Sequence, residues 1–297
     1  MKCTGPIMVP TCENPVPCGK CLACRIAHRR EWSMRATHEL YTTEGHNGMF
    51  VTLTYDNNHL PEFNTLVKSD LQKFMKRLRK ALYPRKIKYL AAGEYGDLNQ
   101  RPHYHLLLYN VTRDDIPIIK QCWNFCQWEL LGEKPFGEIT PESAQYVSGY
   151  IDKKYGGRLG NEVYGDTGRI PPFRLVSKGF GRDYLDKFYK SISDNCFIVY
   201  QTKRCSIPRY YCKRLKDVYG IDVTEKMQAS AEEFEAVLIQ ETLGLPQPML
   251  FAELYANHYH DLLLIYMRAL HKDREARRIR YEAALKRRST FRKNVPF

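Results

Sequence analysis

RPHYHLLLYN, residues 101–110, is the stretch that decides how this chain is read. After Pro102 the run is apolar and aromatic, which predicts a buried strand. Side chains alternate across a strand, so His103, His105, Leu107 and Tyr109 share one face and Tyr104, Leu106 and Leu108 the other. Two imidazoles separated by one hydrophobe therefore stand side by side, spaced to share a single metal ion. Upstream, KIKYLAAGEYG (86–96) also alternates and reads as a neighbouring strand, with Glu94 near its end as a third candidate ligand. Downstream, YVSGYIDKKYGG (146–157) sets Tyr146, Tyr150 and Lys154 at steps of four, along one face of a helix.

Outward from these elements, GMFVTLTYDNNHLPEF (48–63) gives a strand over Phe50 to Tyr55 and a turn. Ser69 is positioned to cap an amphipathic helix that turns Leu71, Phe74, Met75, Leu78 and Leu82 inward and ends before Pro84. Its outer face carries Lys73, Lys76, Arg77, Arg79 and Lys80. Residues 114–131 read as a second helix, with Ile119, Trp123 and Leu130 among its apolar members, and FGEIT (136–140) as a short last strand. The order strand, helix, strand, strand, helix, strand is that of a split βαβ, ferredoxin-like core. The predicted class is α+β, an antiparallel sheet with two helices on one face.

The tyrosine helix follows. Thr140 fits as its N-cap, Pro141 as its first residue and Gly156-Gly157 as its stop. A core stripe of Ala144, Val147 and Ile151 would leave Tyr146, Tyr150 and Lys154 facing the open side of the sheet. Residues 161–174 read as a loop over that site.

Ahead of the sheet, residues 24–40 form a basic helix with Trp32, Ala36 and Leu40 on one stripe and Arg25, Arg29, Arg30 and Arg35 available to the polar side. Behind the tyrosine helix, residues 179–192 and 196–200 read as a helix and a strand finishing the first domain. The pattern from 213 onward is helical. Three regions result: a cysteine-rich segment and basic helix (1–48), a sheet domain (49–212) and a helical basic C-terminal region (213–297). The last stretch, 271–297, has ten Lys or Arg against three acids, a net of +7, which on charge alone reads as a solvated helix end.

With 297 residues, 43% hydrophobic and 27% charged, the composition is that of a globular protein. No run approaches the roughly 18 apolar residues of a membrane span, and the N-terminus has no apolar core of the secretory kind, so a cytoplasmic, membrane-free protein is expected. The formal charge of +13 points to a polyanionic partner.

Ten cysteines sit poorly with disulfides in a reducing cytoplasm. Cys3, Cys12, Cys18, Cys21 and Cys24 fall within the first 24 residues, and CGKCLAC (18–24) holds two overlapping CxxC spacings. Cys3, Cys18, Cys21 and Cys24 are candidates for a four-sulfur structural zinc, leaving Cys12 spare; reduced thiols in an ordinary N-terminal segment are the other reading. Cys122, Cys126, Cys196, Cys205 and Cys212 read as small core residues.

The His-Tyr-His strand, the acid one strand away and the two-tyrosine helix together resemble the HUH endonucleases. More narrowly, the chain resembles the rolling-circle replication initiators of small single-stranded DNA phages, the microviruses of the gokushovirus branch. The resemblance spans roughly residues 1–215 and includes CGKCLACRIAHRREWSMRATHE, FVTLTYDNNHLP and IPRYYCKRL. It implies an HUH fold and a metal-dependent single-strand DNA endonuclease and ligase.

In that reading Tyr146 and Tyr150 are the nucleophiles, Lys153 or Lys154 assists them, and His103 and His105 hold Mg²⁺ or Mn²⁺. Glu94 joins the metal set by its place on the neighbouring strand. Single-stranded DNA at a phage origin would be the substrate, in the cytoplasm of a bacterial host, with a host helicase and polymerase as further partners. Arg101, Lys73, Arg77 and Lys80 are the candidate phosphate contacts. Two other readings stay open: a non-catalytic nucleic-acid binder stacking bases on the aromatics of FVTLTY and HYHLLLY, and a transposase or relaxase with the same chemistry.

Overall fold

The computed structural model describes residues 3, 5–10, 16–96, 99–152 and 164–293. Two compact units result, residues 24–189 and residues 190–297 with 1–23. The division falls inside the first helix, one residue before Cys24, so the N-terminal cysteines form a local feature of residues 3–24.

In residues 24–189 the elements run α1 (Leu22–Thr42), β1 (Gly48–Thr54), α2 (Lys68–Ala81), β2 (Lys88–Tyr95), β3 (Pro102–Tyr109), α3 (Ile116–Cys122), α4 (Trp128–Leu131), β4 (Phe136–Gly137), α5 (Pro141–Asp152), β5 (Phe173–Val176) and the start of α6 (Arg182–Asn195). Five strands form one sheet in the order β4-β1-β3-β2-β5, every neighbouring pair antiparallel. The first four reproduce the expected split βαβ order, and the α+β class holds. β5 is an addition: Phe173 to Val176, expected as the end of a loop, pairs with Leu90 to Gly93 of β2.

The alternation of β3 sorts two cores onto the two faces of the sheet. Tyr104, Leu106 and Leu108 join Val51, Leu53 and Ala91 beneath α2 and α3, where Leu71, Phe74, Met75, Leu78, Ile119 and Trp123 close over them. On the other face Leu107 and Tyr109, with Leu90 and Ala92, meet Trp32 and Ala36 of α1, Ala144 and Val147 of α5, and Phe180. That second face is therefore covered rather than open. The helix carrying the tyrosines packs its apolar stripe directly on it.

Three local expectations change for physical reasons. The helix expected over 114–131 is broken, because Trp123 donates its indole N–H to the Thr54 carbonyl (2.7 Å) and is wholly buried there. α2 starts one residue early, at Lys68, so Ser69 lies in its first turn rather than at the cap. Arg35, expected on the polar side of α1, is buried: it donates to the Phe180 carbonyl (2.8 Å) and its guanidinium lies 4.2 Å from the Trp32 ring centre.

In the other unit β6 (Ile198–Tyr200) pairs with β7 (Lys203–Cys205) in a separate two-stranded sheet instead of joining the larger one. Helices α7 (Arg209–Tyr219), α8 (Thr224–Leu243), α9 (Phe251–Ala256) and α10 (His260–Lys293) follow. Ile239, Leu254, Leu263 and Tyr266 make a small core among the last three. Among the described residues no helix is long and apolar enough to cross a membrane.

Candidate active site

β3 is the central strand, so its residues are flanked on both sides by backbone of known register. Thr54 and Glu94 stand opposite His103, and Thr52 and Ala92 opposite His105. His105 Nε2 lies 2.9 Å from Glu94 Oε1, and the Thr52 hydroxyl lies 3.0 Å from His105 Nδ1. His103 Nδ1 donates to the Arg101 carbonyl at 2.7 Å. A carbonyl can only accept, so Nδ1 carries the proton and Nε2 of a neutral ring keeps its lone pair.

Burial, helped by the neighbouring His105, pushes the His103 pKa below its ordinary value. At neutral pH the ring is therefore uncharged and able to donate that lone pair. The two imidazoles lie nearly parallel, 5° apart in plane with centres 6.4 Å apart.

Tyr146 reaches the same place from α5. Its ring stands edge-on to His105, centres 5.2 Å apart at 79°, and against Phe50 at 6.0 Å. Phe50 in turn stacks on His105 at 5.8 Å and 15°. The start of α5 is fixed as expected: Thr140 Oγ1 accepts the Ser143 backbone N–H, and Ser143 Oγ accepts that of Thr140.

Arg29 of α1 holds the helix further along, donating Nε–H to the Gln145 carbonyl at 2.8 Å. The guanidinium lies so close that a Cβ on Gly149 would come within 3.1 Å of its carbon. Tyr150 follows one turn after Tyr146 in α5; its side chain, Lys153 and Lys154 lie outside the described residues.

The other expected residues fall elsewhere. Lys73, Arg77 and Lys80 are on α2, which covers the sheet face opposite the histidines. Arg77 donates to the Cys122 carbonyl and ties α2 to α3. Arg101 donates to Asn57 Oδ1 and to the Tyr55 carbonyl, each at 2.8 Å, clamping the loop after β1 to the β2–β3 hairpin.

Sequence reasoning did not reach Thr52, Phe50 or Arg29 as parts of the site. The alternation of FVTLTY was the available signal for the first two, since antiparallel pairing places Phe50 and Thr52 on the histidine face. Arg29 is set by tertiary contact with α5, which nothing local encodes.

A divalent cation fits this donor set. Each imidazole has an oxygen partner at Nδ1, the orienting arrangement of metal-bound histidine, and each Nε2 remains as the ligand atom beside a buried carboxylate. The three donors share one face without converging tightly, and two are hydrogen-bonded to each other. Among the described residues, one set of three or more His, Cys, Asp or Glu ligand atoms lies within 4.8 Å of one another: the sulfurs of Cys3, Cys18, Cys21 and Cys24.

A split βαβ sheet with paired histidines on its central strand and a tyrosine helix packed over them defines the structural class. Residues 48–155, from β1 to just beyond α5, match the family of the replication-associated protein ORF2. The chain is 36% identical over 246 residues to replication-associated protein ORF2 of Spiroplasma virus 4, covering 74% of this chain and 75% of the relative. It is 31% identical over 220 residues to replication-associated protein VP4 of Bdellovibrio phage phiMH2K (66% and 65% covered), and 28% identical over 248 residues to replication-associated protein ORF4 of Chlamydia phage 1 (75% and 58%). No solved structure matches the chain. The chain belongs to this family of phage replication-associated proteins.

Proposed function

We propose that the chain initiates rolling-circle replication by nicking and rejoining single-stranded DNA at a phage origin. The observation that carries the reading is the packing of Tyr146 against His105, beside His103 and Glu94. In the first step the Tyr146 or Tyr150 oxygen, having lost its proton, attacks the scissile phosphorus. The bond to the 3′ oxygen breaks and that oxygen takes up a proton. The products are a 5′-phosphotyrosine and a 3′-hydroxyl that a polymerase can extend.

A phenol with a pKa of about 10 is a weak nucleophile at neutral pH, so the site must favour the phenolate. Lys153 and Lys154, one or two turns on in sequence, supply positive charge for that purpose and for the phosphate. His103, His105 and Glu94 would hold Mg²⁺ or Mn²⁺, which supplies Lewis-acid polarisation of the phosphate. With two tyrosines, one can keep the 5′ end while the other cuts the regenerated origin. The freed 3′-hydroxyl then attacks the first phosphotyrosine, restoring the phenol and closing a circle.

The base-stacking alternative is disfavoured. Tyr55, Tyr104 and Tyr109, the aromatics it would use, are buried under helices on both faces. The test is incubation of the full chain with single-stranded oligonucleotides tiled across the origin region of the encoding genome. A covalent protein–DNA adduct on a denaturing gel is expected with Mn²⁺ and not with EDTA. Binding without adduct on every oligonucleotide would refute the reading.

A further inference from the structure

The four clustered cysteines are independent of the nuclease reading, and their geometry is that of a metal site. Cys3 Sγ and Cys21 Sγ are 3.8 Å apart, and all four sulfurs lie within 4.8 Å of one another. A tetrahedron built on zinc–sulfur bonds of about 2.3 Å has edges of about 3.8 Å. A disulfide would require about 2.05 Å, so the spacing is too long for a bond between the sulfurs. It is instead the spacing of sulfurs around a common centre.

The backbone is arranged to bring them there. Ile7 and Val16 exchange both N–H···O bonds (2.9 and 2.8 Å), folding the N-terminal segment back so that Cys3 returns beside Cys18. Gly19, at φ +72°, makes the turn that lets the N–H groups of Lys20 and Cys21 point at Cys18 Sγ (3.5 and 3.3 Å). The Cys18 N–H points in turn at Cys3 Sγ (3.3 Å). Such N–H···S bonds spread thiolate charge, as the outer-shell donors of metal–thiolate sites do. Cys21 precedes α1 and Cys24 lies in its first turn, three residues on, so both sulfurs fall on one side of the helix start.

We infer that Cys3, Cys18, Cys21 and Cys24 bind one zinc ion as a closed, structural site. Four soft thiolates in a tetrahedron select zinc, and four protein ligands leave no position for a substrate or a water. The ion staples the N-terminal segment to the start of α1, the helix that carries Arg29 and the Trp32 stripe. Cys12 has no place in the set.

The test is elemental analysis of the full chain, purified without a metal-affinity tag, with cobalt(II) exchange as a second measurement on the unmutated protein. About one zinc per chain is expected, lost in Cys3→Ser and in Cys24→Ser and kept in Cys12→Ser. Cobalt should give the intense visible bands of a tetrahedral thiolate site. This optical test stands even if the serine variants fold poorly. Protein that is metal-free and takes up neither ion would overturn the inference. So would zinc lost equally in Cys12→Ser, or iron in place of zinc.

Discussion

Thr52→Val tests whether the histidine pair is a metal site. The substitution keeps the shape of the side chain and removes only the hydroxyl, which lies 3.0 Å from Nδ1 of the buried His105. Losing one partner of a buried polar group costs roughly 1–3 kcal/mol. If the bond orients the ring for metal, most of that appears as lost affinity, and at about 1.4 kcal/mol per tenfold it amounts to roughly 5- to 100-fold. The assay is Mn²⁺ titration by calorimetry, with the metal dependence of adduct formation beside it. Thr52→Ser, which retains the hydroxyl, should bind Mn²⁺ nearly as the original does. Equal Mn²⁺ affinity in Thr52→Val, with the fold intact, would refute the idea that this hydroxyl sets up a ligand.

Two further outcomes concern the frame. Burial holds the pKa of His38, which stacks on Tyr184 at 3.7 Å, down to about 3. The unfolded chain therefore binds a proton near pH 6.5 that the folded chain refuses until pH 3, and stability should fall as pH drops through that window by about 1.4 kcal/mol per unit. Urea unfolding at pH 7.5 and pH 5 should show about 2 kcal/mol less acid loss in His38→Phe than in the original chain, and identical pH dependence would contradict the assignment. Lys88 bridges the buried Glu39 and Asp183, 2.7 Å from each. Lys88→Met should cost roughly 3–5 kcal/mol by stranding the Glu39 charge, and adding Glu39→Gln should recover part of it; a loss below about 1 kcal/mol would mean that water already solvates the pair.

Much of the fold was legible because its elements carry strong local signals. The alternation of HYHLLLY, the inward stripe of Leu71, Phe74, Met75 and Leu78, and the Thr140-Pro141 helix start each survive into the structure. β5 was not legible, because a four-residue strand between a proline pair and a glycine turn has too little pattern, and the free edge of β2 decides that it forms. Arg35 reads as a surface charge until Phe180, 145 residues away, supplies the carbonyl that lets it be buried. Within the site, the side-by-side histidines and the tyrosine helix were predicted from period alone. The hydrogen bonds that orient them were not, since each crosses between strands or helices.

The most direct test of the central claim is adduct formation on the origin oligonucleotide by the original chain, Tyr146→Phe, Tyr150→Phe and the double variant, each with Mn²⁺ and with EDTA. The account predicts a metal-dependent adduct whose yield falls in one or both single variants and vanishes in the double. An adduct that persists in the double variant, or that forms equally well in EDTA, would contradict it.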